Sequence, residues 1–474
     1  MNDALQDELA ALLGTAHVLT GDAATPYLTD WRKLVQGRAR LVARPGSTEE
    51  VAAVMRACAA RGVPVVPQGG NTGQVAGGVP GPEGDAVLLS LARMNRVRAI
   101  DAQNDTITVE AGCILQALQQ AAREAGRLFP LSLGAEGSCM IGGNLASNAG
   151  GTQVLRYGNA RELCLGLEVV LADGEVWHGL RGLRKDNGGY DLRDLFIGSE
   201  GTLGIITAAT LKLFPLPAAR CTAFAALAGI QDAGRFLARC RAGLHAVLTG
   251  FELISGDCLR LVTRTYPQQR APLATLDAPW YVLLETSDSE DEAQALARLE
   301  AVLATALEAG EIGDVALAQS SAQARAMWQL RESITLALAE DGKCIKHDVS
   351  LPVSAIPSFV EGCDAALRRA FPGVRNFTFG HLGDGNLHYN VARPEGLDDA
   401  ALHAMQPGLS RLVHDAVHAL GGSISAEQGI GRIRTEDLLR YKPAVELRLM
   451  RAIKQAIDPR GLLNPGVLLQ PPPL

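Results

Sequence analysis

The chain has 474 residues, 47% of them hydrophobic and 20% charged, with a formal net charge of -7. That length exceeds what one hydrophobic core holds, so about two or three domains are expected, and the composition excludes a disordered or fibrous protein. Nothing in the acidic charge balance steers the molecule toward nucleic acid or an anionic membrane surface.

The opening MNDALQDELAALLG has no basic segment followed by an apolar run, so it is not a secretory signal. No apolar stretch reaches the roughly 18 residues of a membrane-spanning helix. These absences predict a cytoplasmic chain, with peripheral membrane contact through a partner left open. Nine cysteines are scattered without a CxxC pair, which predicts reduced thiols packed as small buried residues.

In chain order, residues 1–36 are a helical lead-in. ARLVARPGSTEEVAAVMRACAARG then reads as strand, turn and helix, with Ser47 or Thr48 as cap. VPVVPQGG is a strand running into a glycine loop; AVLLSLARM and TITVEAG are further strands. LQALQQAAREAG is a helix ended by Gly126. LCLGLEVVLADGEV is a hairpin turning at Asp173-Gly174. GTLGIITAATLKLFPLP ends this strand-rich half, and its prolines mark a domain boundary. Beyond it the pattern is α+β: helix IQDAGRFLARCRAG, strands HAVLTGFELI and WYVLLETS, and helix DEAQALARLEAVLATALEAG. A helix over 321–342, strands near 345–350 and 375–392, and helices near 398–420 and 436–457 follow. LLNPGVLL at 462–469 is a tail that packs back.

The 51 glycines are unevenly placed. PQGGNTGQVAGG offers Pro67, Gly69, Gly70, Asn71, Thr72, Gly73 and Gly77, a loop of exposed amides suited to phosphate oxygens. GAEGSCMIGGNLASNAGG offers Gly134, Ser138, Gly142, Gly143, Asn144 and Ser147. KDNGGYDLRDLFIGSEGTLGIIT offers Glu200, Gly204 and Ile205. One glycine pair is weak evidence; three dense segments suit one extended ligand touched from several places. A GxGxxG opening a helix, followed by an acidic residue at the next strand end, is absent, which argues against a doubly wound dinucleotide fold.

On these three segments, in this order, residues 38–217 resemble the FAD-binding oxidases of the vanillyl-alcohol-oxidase/p-cresol-methylhydroxylase (VAO/PCMH) fold. The resemblance implies an α+β fold class: a two-subdomain VAO/PCMH-type FAD-binding domain over 1–217, then an α+β substrate domain with a largely antiparallel sheet over 218–474. It also implies the pyrophosphate on the Gly69–Gly73 loop. Some relatives attach flavin covalently through histidine or cysteine. Here the glycine loops contain no histidine and Cys139 is the one nearby thiol, so FAD is expected to be noncovalent.

A second oddity is GHLGDGNLHYN at 380–390. By strand period two, His388 and Asn390 share a face, and the glycines let His381 join them. Two imidazoles and a carboxylate suit a divalent metal, zinc first, with manganese, iron and cobalt tolerated. Glu427, in SISAEQGIG, is the third candidate; a tight turn explains Asp384 more cheaply. The bland alternative is two histidines bonded to backbone and a capping glutamate. Arg331 and Thr335 are four apart on a helix, and Lys346 lies on the next strand; together they offer cationic and donor groups to a carboxylate.

The second half resembles the C-terminal domain of FAD-linked 2-hydroxyacid dehydrogenases, with D-2-hydroxyglutarate dehydrogenases nearest in pattern. That resemblance implies metal ligands at His381, His388 and Glu427 and substrate binding by Arg331, Thr335 and Lys346. It implies oxidation of a D-2-hydroxy acid to its 2-oxo acid, by metal-assisted hydroxyl deprotonation and hydride transfer to FAD N5. Relatives pass electrons to a separate acceptor: quinone, electron-transfer flavoprotein or cytochrome. One departure matters. The family often has histidine after the glutamate; here Gln428 stands there, and glutamine cannot act as a base near neutral pH. A hydrogen-bonding role is expected instead. The rivals are a D-lactate or glycolate dehydrogenase on the same scaffold and a noncatalytic flavoprotein subunit; a homodimer is compatible with either.

Overall fold

A computed structural model describes residues 4–470. The chain divides into two compact units. The first holds residues up to Gly150, Gly158–Leu216 and the chain from Glu427 onward; the second holds Gly151–Tyr157 and Pro217–Ala426. Residues 427–470 thus join the first compact unit, although the sequence division at 217/218 counts them with the second half.

Local signals in the first unit act as expected. Ser47 accepts from Glu50 N–H at 3.2 Å and starts the helix Thr48–Arg61; Gly62, at φ 66°, ends it. The lead-in is one helix, Ala4–Leu13, followed by short 3-10 turns. Two sheets result. Four strands lie in the order Val18–Leu19, Leu41–Ala43, Val87–Ser90, Val65–Gln68, the last three parallel. Five antiparallel strands lie in the order Val97–Asp101, Thr106–Glu110, Ile205–Lys212, Cys164–Val170, Val176–Gly179. The returning tail docks on the first sheet: Val65 N–H donates to Leu462 O at 2.8 Å, and Asn464 N–H to Val65 O at 2.9 Å.

The second unit is built on seven strands, every neighbouring pair antiparallel. Their order is Asp314–Leu317, Ala219–Leu227, Trp280–Asp288, Leu248–Ser255, Arg375–His381, Asn386–Ala392, Cys344–Ser350. Strand alternation sends successive side chains to opposite cores. Phe251, Leu253, Val282 and Tyr389 pack with Phe236, Leu299, Phe359 and Val413 from four helices. Ile254, Leu283, Phe377 and Phe379 pack with Leu259 and Val262 of Gly256–Thr265 and with Met327, Leu330 and Ile334 of Ser321–Asp341. The strand expected from His245 starts only at Leu248, after a 3-10 turn over His245–Val247. All nine cysteines are free thiols.

Candidate functional site

In the second unit, strand register assembles the polar face. Asn386–Ala392 is paired on both sides, so His388 lies between Phe379 and Asp348, and Asn390 between Phe377 and Lys346. One strand further, His381 is opposite Glu252. Period two places all of these on the face covered by Ser321–Asp341. The neighbour His347 points the other way, with Nδ1 3.0 Å from Tyr389 O and Nε2 3.1 Å from Ser410 Oγ. His414 is buried edge-on to it with ring centroids 5.4 Å apart, so neither belongs to the polar face.

Both site histidines have a buried carboxylate at Nδ1. Glu252 Oε1 is 2.6 Å from His381 Nδ1. Asp348 Oδ1 is 3.6 Å from His388 Nδ1 and accepts from Asn386 Nδ2 at 2.9 Å. A carboxylate behind an imidazole fixes its tautomer and raises its basicity as a ligand, leaving Nε2 to face a cation. The rings stand nearly perpendicular at 81°, centroids 5.5 Å apart. Glu427 directly follows Ala426, whose N–H donates to Asp348 O at 3.2 Å. His381 and His388 lie on this face, and Glu427 opens the segment that returns to the first unit. Gly150 leaves the glutamate its space, since a Cβ there would sit 2.7 Å from Glu427 Oε1. Imidazole nitrogens, one of them with a hydrogen-bonded carboxylate behind it, and a carboxylate oxygen are donor types that fit a divalent ion such as zinc.

Glu252 is fully buried, and its second oxygen accepts from Arg331 Nε at 2.8 Å. Burial pushes this carboxyl upward, but the charges of His381 and Arg331 outweigh it and hold it at about 2. Arg331 is 8% exposed, and its guanidinium carbon lies 4.6 Å from the Phe379 ring centroid. No other hydrogen bond from this guanidinium to the described residues is present, so its terminal N–H groups suit an anion. Thr335, one turn on, and Lys346 are half-buried. Asn390 donates to Phe377 O and His388 O, both at 3.2 Å. In the returning segment, Gln428 Oε1 accepts from buried Arg434 at 3.2 Å.

In the first unit the glycines fall into two classes. At Gly70 a Cβ would lie 2.1 Å from Ser138 O, at Gly142 2.7 Å from Ala111 Cβ, and at Gly204 2.5 Å from Val169 Cγ1. At Gly69 it would lie 3.4 Å from Met140 Cβ. These glycines let the segments close on one another, and Ile205 is a buried strand residue beside them. Gly73, Gly134 and Gly143 instead border open space, as a ligand cradle requires. Several polar residues expected at the cofactor are engaged within the protein. Asn71 Nδ2 donates to Thr29 O at 2.8 Å, Asn144 Nδ2 to Cys139 Sγ at 3.5 Å, Ser147 Oγ to Gly143 O at 3.0 Å, and Ser138 Oγ to Ala135 O at 3.5 Å. Thr72 is half-buried on the loop. Pro67 packs at Gly201, and a Cβ on Gly77 would lie 3.4 Å from Glu200 Oε2. Glu200 accepts from Ile430 N–H at 2.9 Å and Gly431 N–H at 2.7 Å, and burial pushes its carboxyl up to about 7. Its carboxylate therefore holds the returning segment.

Two family models match: an FAD binding domain over residues 39–179, and the C-terminal domain of FAD linked oxidases over 216–468. The chain belongs to the FAD-linked oxidases. This FAD-linked oxidase is 42% identical over 469 residues to the mitochondrial D-2-hydroxyglutarate dehydrogenase of Bos taurus, spanning 98% of this chain and 84% of that one. It is 42% identical over 446 residues to the D-2-hydroxyglutarate dehydrogenase of Xanthomonas citri, spanning 94% and 92%. Its fold matches a p-cresol methylhydroxylase crystal structure with a TM-score of 0.77, over 98% of this chain and 96% of that one at 16% identity. The two-part α+β architecture and the FAD-dependent oxidoreductase class thus stand as expected.

The cytoplasmic placement is corrected: the relatives from Bos taurus, rat, zebrafish and Arabidopsis are mitochondrial proteins. The sequence argument weighed only apolar leaders and spans, which do not bear on mitochondrial import. Among the described residues no helix is long and apolar enough to cross a membrane.

Sequence reasoning missed Glu252, Asp348 and Asn386. Glu252 carries a signal: an acid in the middle of the apolar run LTGFELI, at a position whose neighbours are all core.

Proposed function

We propose that this FAD-linked oxidase oxidises a D-2-hydroxy acid to its 2-oxo acid, with D-2-hydroxyglutarate as the first candidate substrate. The observation that carries the reading is the pairing of a nearly buried arginine, open toward an anion, with two imidazoles on the sheet face it packs against, one of them backed by the same carboxylate. The relatives named above support the choice of acid. Arg331 binds the carboxylate bidentately, Lys346 adds a point charge, and Thr335 and Asn390 supply hydrogen-bonding groups. His381, His388 and Glu427 hold a divalent metal, zinc first. When bound, the metal would supply positive charge that favours loss of the hydroxyl proton to solvent, and FAD would take up the hydride from C2, leaving the 2-oxo acid. Gln428, oriented by Arg434, hydrogen-bonds the substrate and takes no proton.

FAD is held noncovalently at the glycine segments from Pro67 to Ile205, with Gly73, Gly134 and Gly143 leaving room for it. Cys139 is buried, and burial pushes its thiol up, which disfavours the nucleophilic thiolate. A separate acceptor, quinone, flavoprotein or cytochrome, reoxidises the flavin. The test is anaerobic mixing of the yellow protein with D-2-hydroxyglutarate, D-lactate and glycolate in turn. Fast bleaching of the visible flavin band by D-2-hydroxyglutarate, abolished by chelation, is expected. Bleaching by lactate alone would reassign the substrate; bleaching by none would remove the dehydrogenase reading.

A further inference from the structure

We propose that Glu252 is a positioning residue that ties metal binding to substrate-carboxylate binding, one oxygen serving His381 and the other Arg331. The inference rests on the functional reading above and adds a residue that the reading does not contain. The geometry is specific. Glu252 sits on an interior strand, hydrogen-bonded on one side to Trp280–Asp288 and on the other to Arg375–His381, with His381 as its direct cross-strand partner. The backbone register therefore fixes the carboxylate before any side chain is placed. Oε1 lies 2.6 Å from His381 Nδ1 and Oε2 2.8 Å from Arg331 Nε. The second histidine is supported differently. Its carboxylate, Asp348, stands 3.6 Å from Nδ1, beyond hydrogen-bond reach.

A shared carboxylate has two consequences. It keeps the proton of His381 on Nδ1, so that Nε2 presents its lone pair to a cation. It also holds the Arg331 guanidinium by Nε alone, so the terminal N–H pair stays available in a fixed plane. Because one group sets both, filling either position favours the other, and such coupling is reciprocal.

Glu252→Gln tests this with little change in shape. A glutamine offers one oxygen and one NH2, so one of its two partners, both donors, then meets a donor. The FAD-loaded, chelator-stripped protein is titrated with cobalt(II) without substrate, following the ligand-field spectrum; the zinc-loaded form gives kcat and KM for D-2-hydroxyglutarate. Wild type is expected to bind one cobalt per chain. The variant should bind cobalt about 10- to 100-fold more weakly and show a raised KM, with flavin content and melting temperature kept. Equal cobalt affinity and equal KM in the variant would overturn the inference and leave the proposed function standing. A wild type that binds no cobalt would overturn the metal reading, and this inference with it. If Glu252→Gln loses its flavin or fold, Glu252→Asp serves. It keeps the charge but is one methylene short of spanning both partners, and cobalt affinity and KM both as in wild type would overturn the inference equally.

Discussion

The two units make room for ligands by opposite means. In the first, space comes from removal: glycines strip side chains from loops so that three segments close together and leave Gly73, Gly134 and Gly143 open. In the second, the site comes from placement: strands at fixed register project imidazoles and carboxylates from one face, and the helix Ser321–Asp341 brings Arg331 against it. A loop cradle should fail when an atom is added, and a sheet-borne site when a partner is taken away.

Removing a ligand is the harshest test of placement. His381→Ala deletes a candidate metal ligand and strands Glu252 with one partner, and turnover should fall at least about a hundredfold while flavin content stays. Steady-state rates beside the visible flavin spectrum check both halves of that statement.

The two buried glutamates sharpen the contrast through pH. Glu252 has a folded value of about 2, below the ordinary 4.5. Its contribution is present above pH 4.5 and is lost as pH falls through 2, about 3 kcal/mol in order of magnitude. Glu200 is raised to about 7. Its protonated form is favoured on folding, so its contribution is present below pH 4.5 and is lost as pH rises through 7, again about 3 kcal/mol. Hydrogen exchange resolved by unit should therefore show the first unit loosening between pH 4.5 and 7 and the second loosening below 4.5. Glu200→Gln should flatten the first trend; a first unit that stiffens over that range would contradict it.

Adding one methyl group separates the glycine classes. Gly70→Ala places a Cβ against the Ser138 carbonyl and should cost about 1–3 kcal/mol, read as a lower melting temperature of the flavin-free protein. Gly143→Ala meets open space, so flavin-free stability should hold while FAD is released faster, measured by flavin fluorescence on dilution. Smallest of all, Gln428→Ala should raise KM for the hydroxy acid by a few-fold, about 1 kcal/mol for one hydrogen bond, and leave the shape of the pH–rate profile unchanged.

Legibility followed the same divide. Glycine loops are continuous stretches, so the FAD half could be read locally, including its hairpin and caps. The histidines were legible because strand period two is local as well. Glu252 was not, since its partners are 79 and 129 residues away and only sheet order brings them together. Glu200 has a role that its sequence neighbours do not signal. Its place in a glycine-rich motif suggests a cofactor contact, and its carboxylate also holds backbone amides 230 and 231 residues later in the chain. The return of residues 427–470 to the first unit was equally hidden, because helix signals do not say which core a helix joins.

That return has a consequence for the order of events on the ribosome. The strand Val65–Gln68 is made early, yet its outer edge is paired only when Leu462 and Asn464 have emerged. Meanwhile nearly all of the second unit is one continuous stretch, 217–426, and can finish folding first. During synthesis an early-made apolar strand thus waits with an open edge, a natural target for chaperone capture and for mispairing between nascent chains.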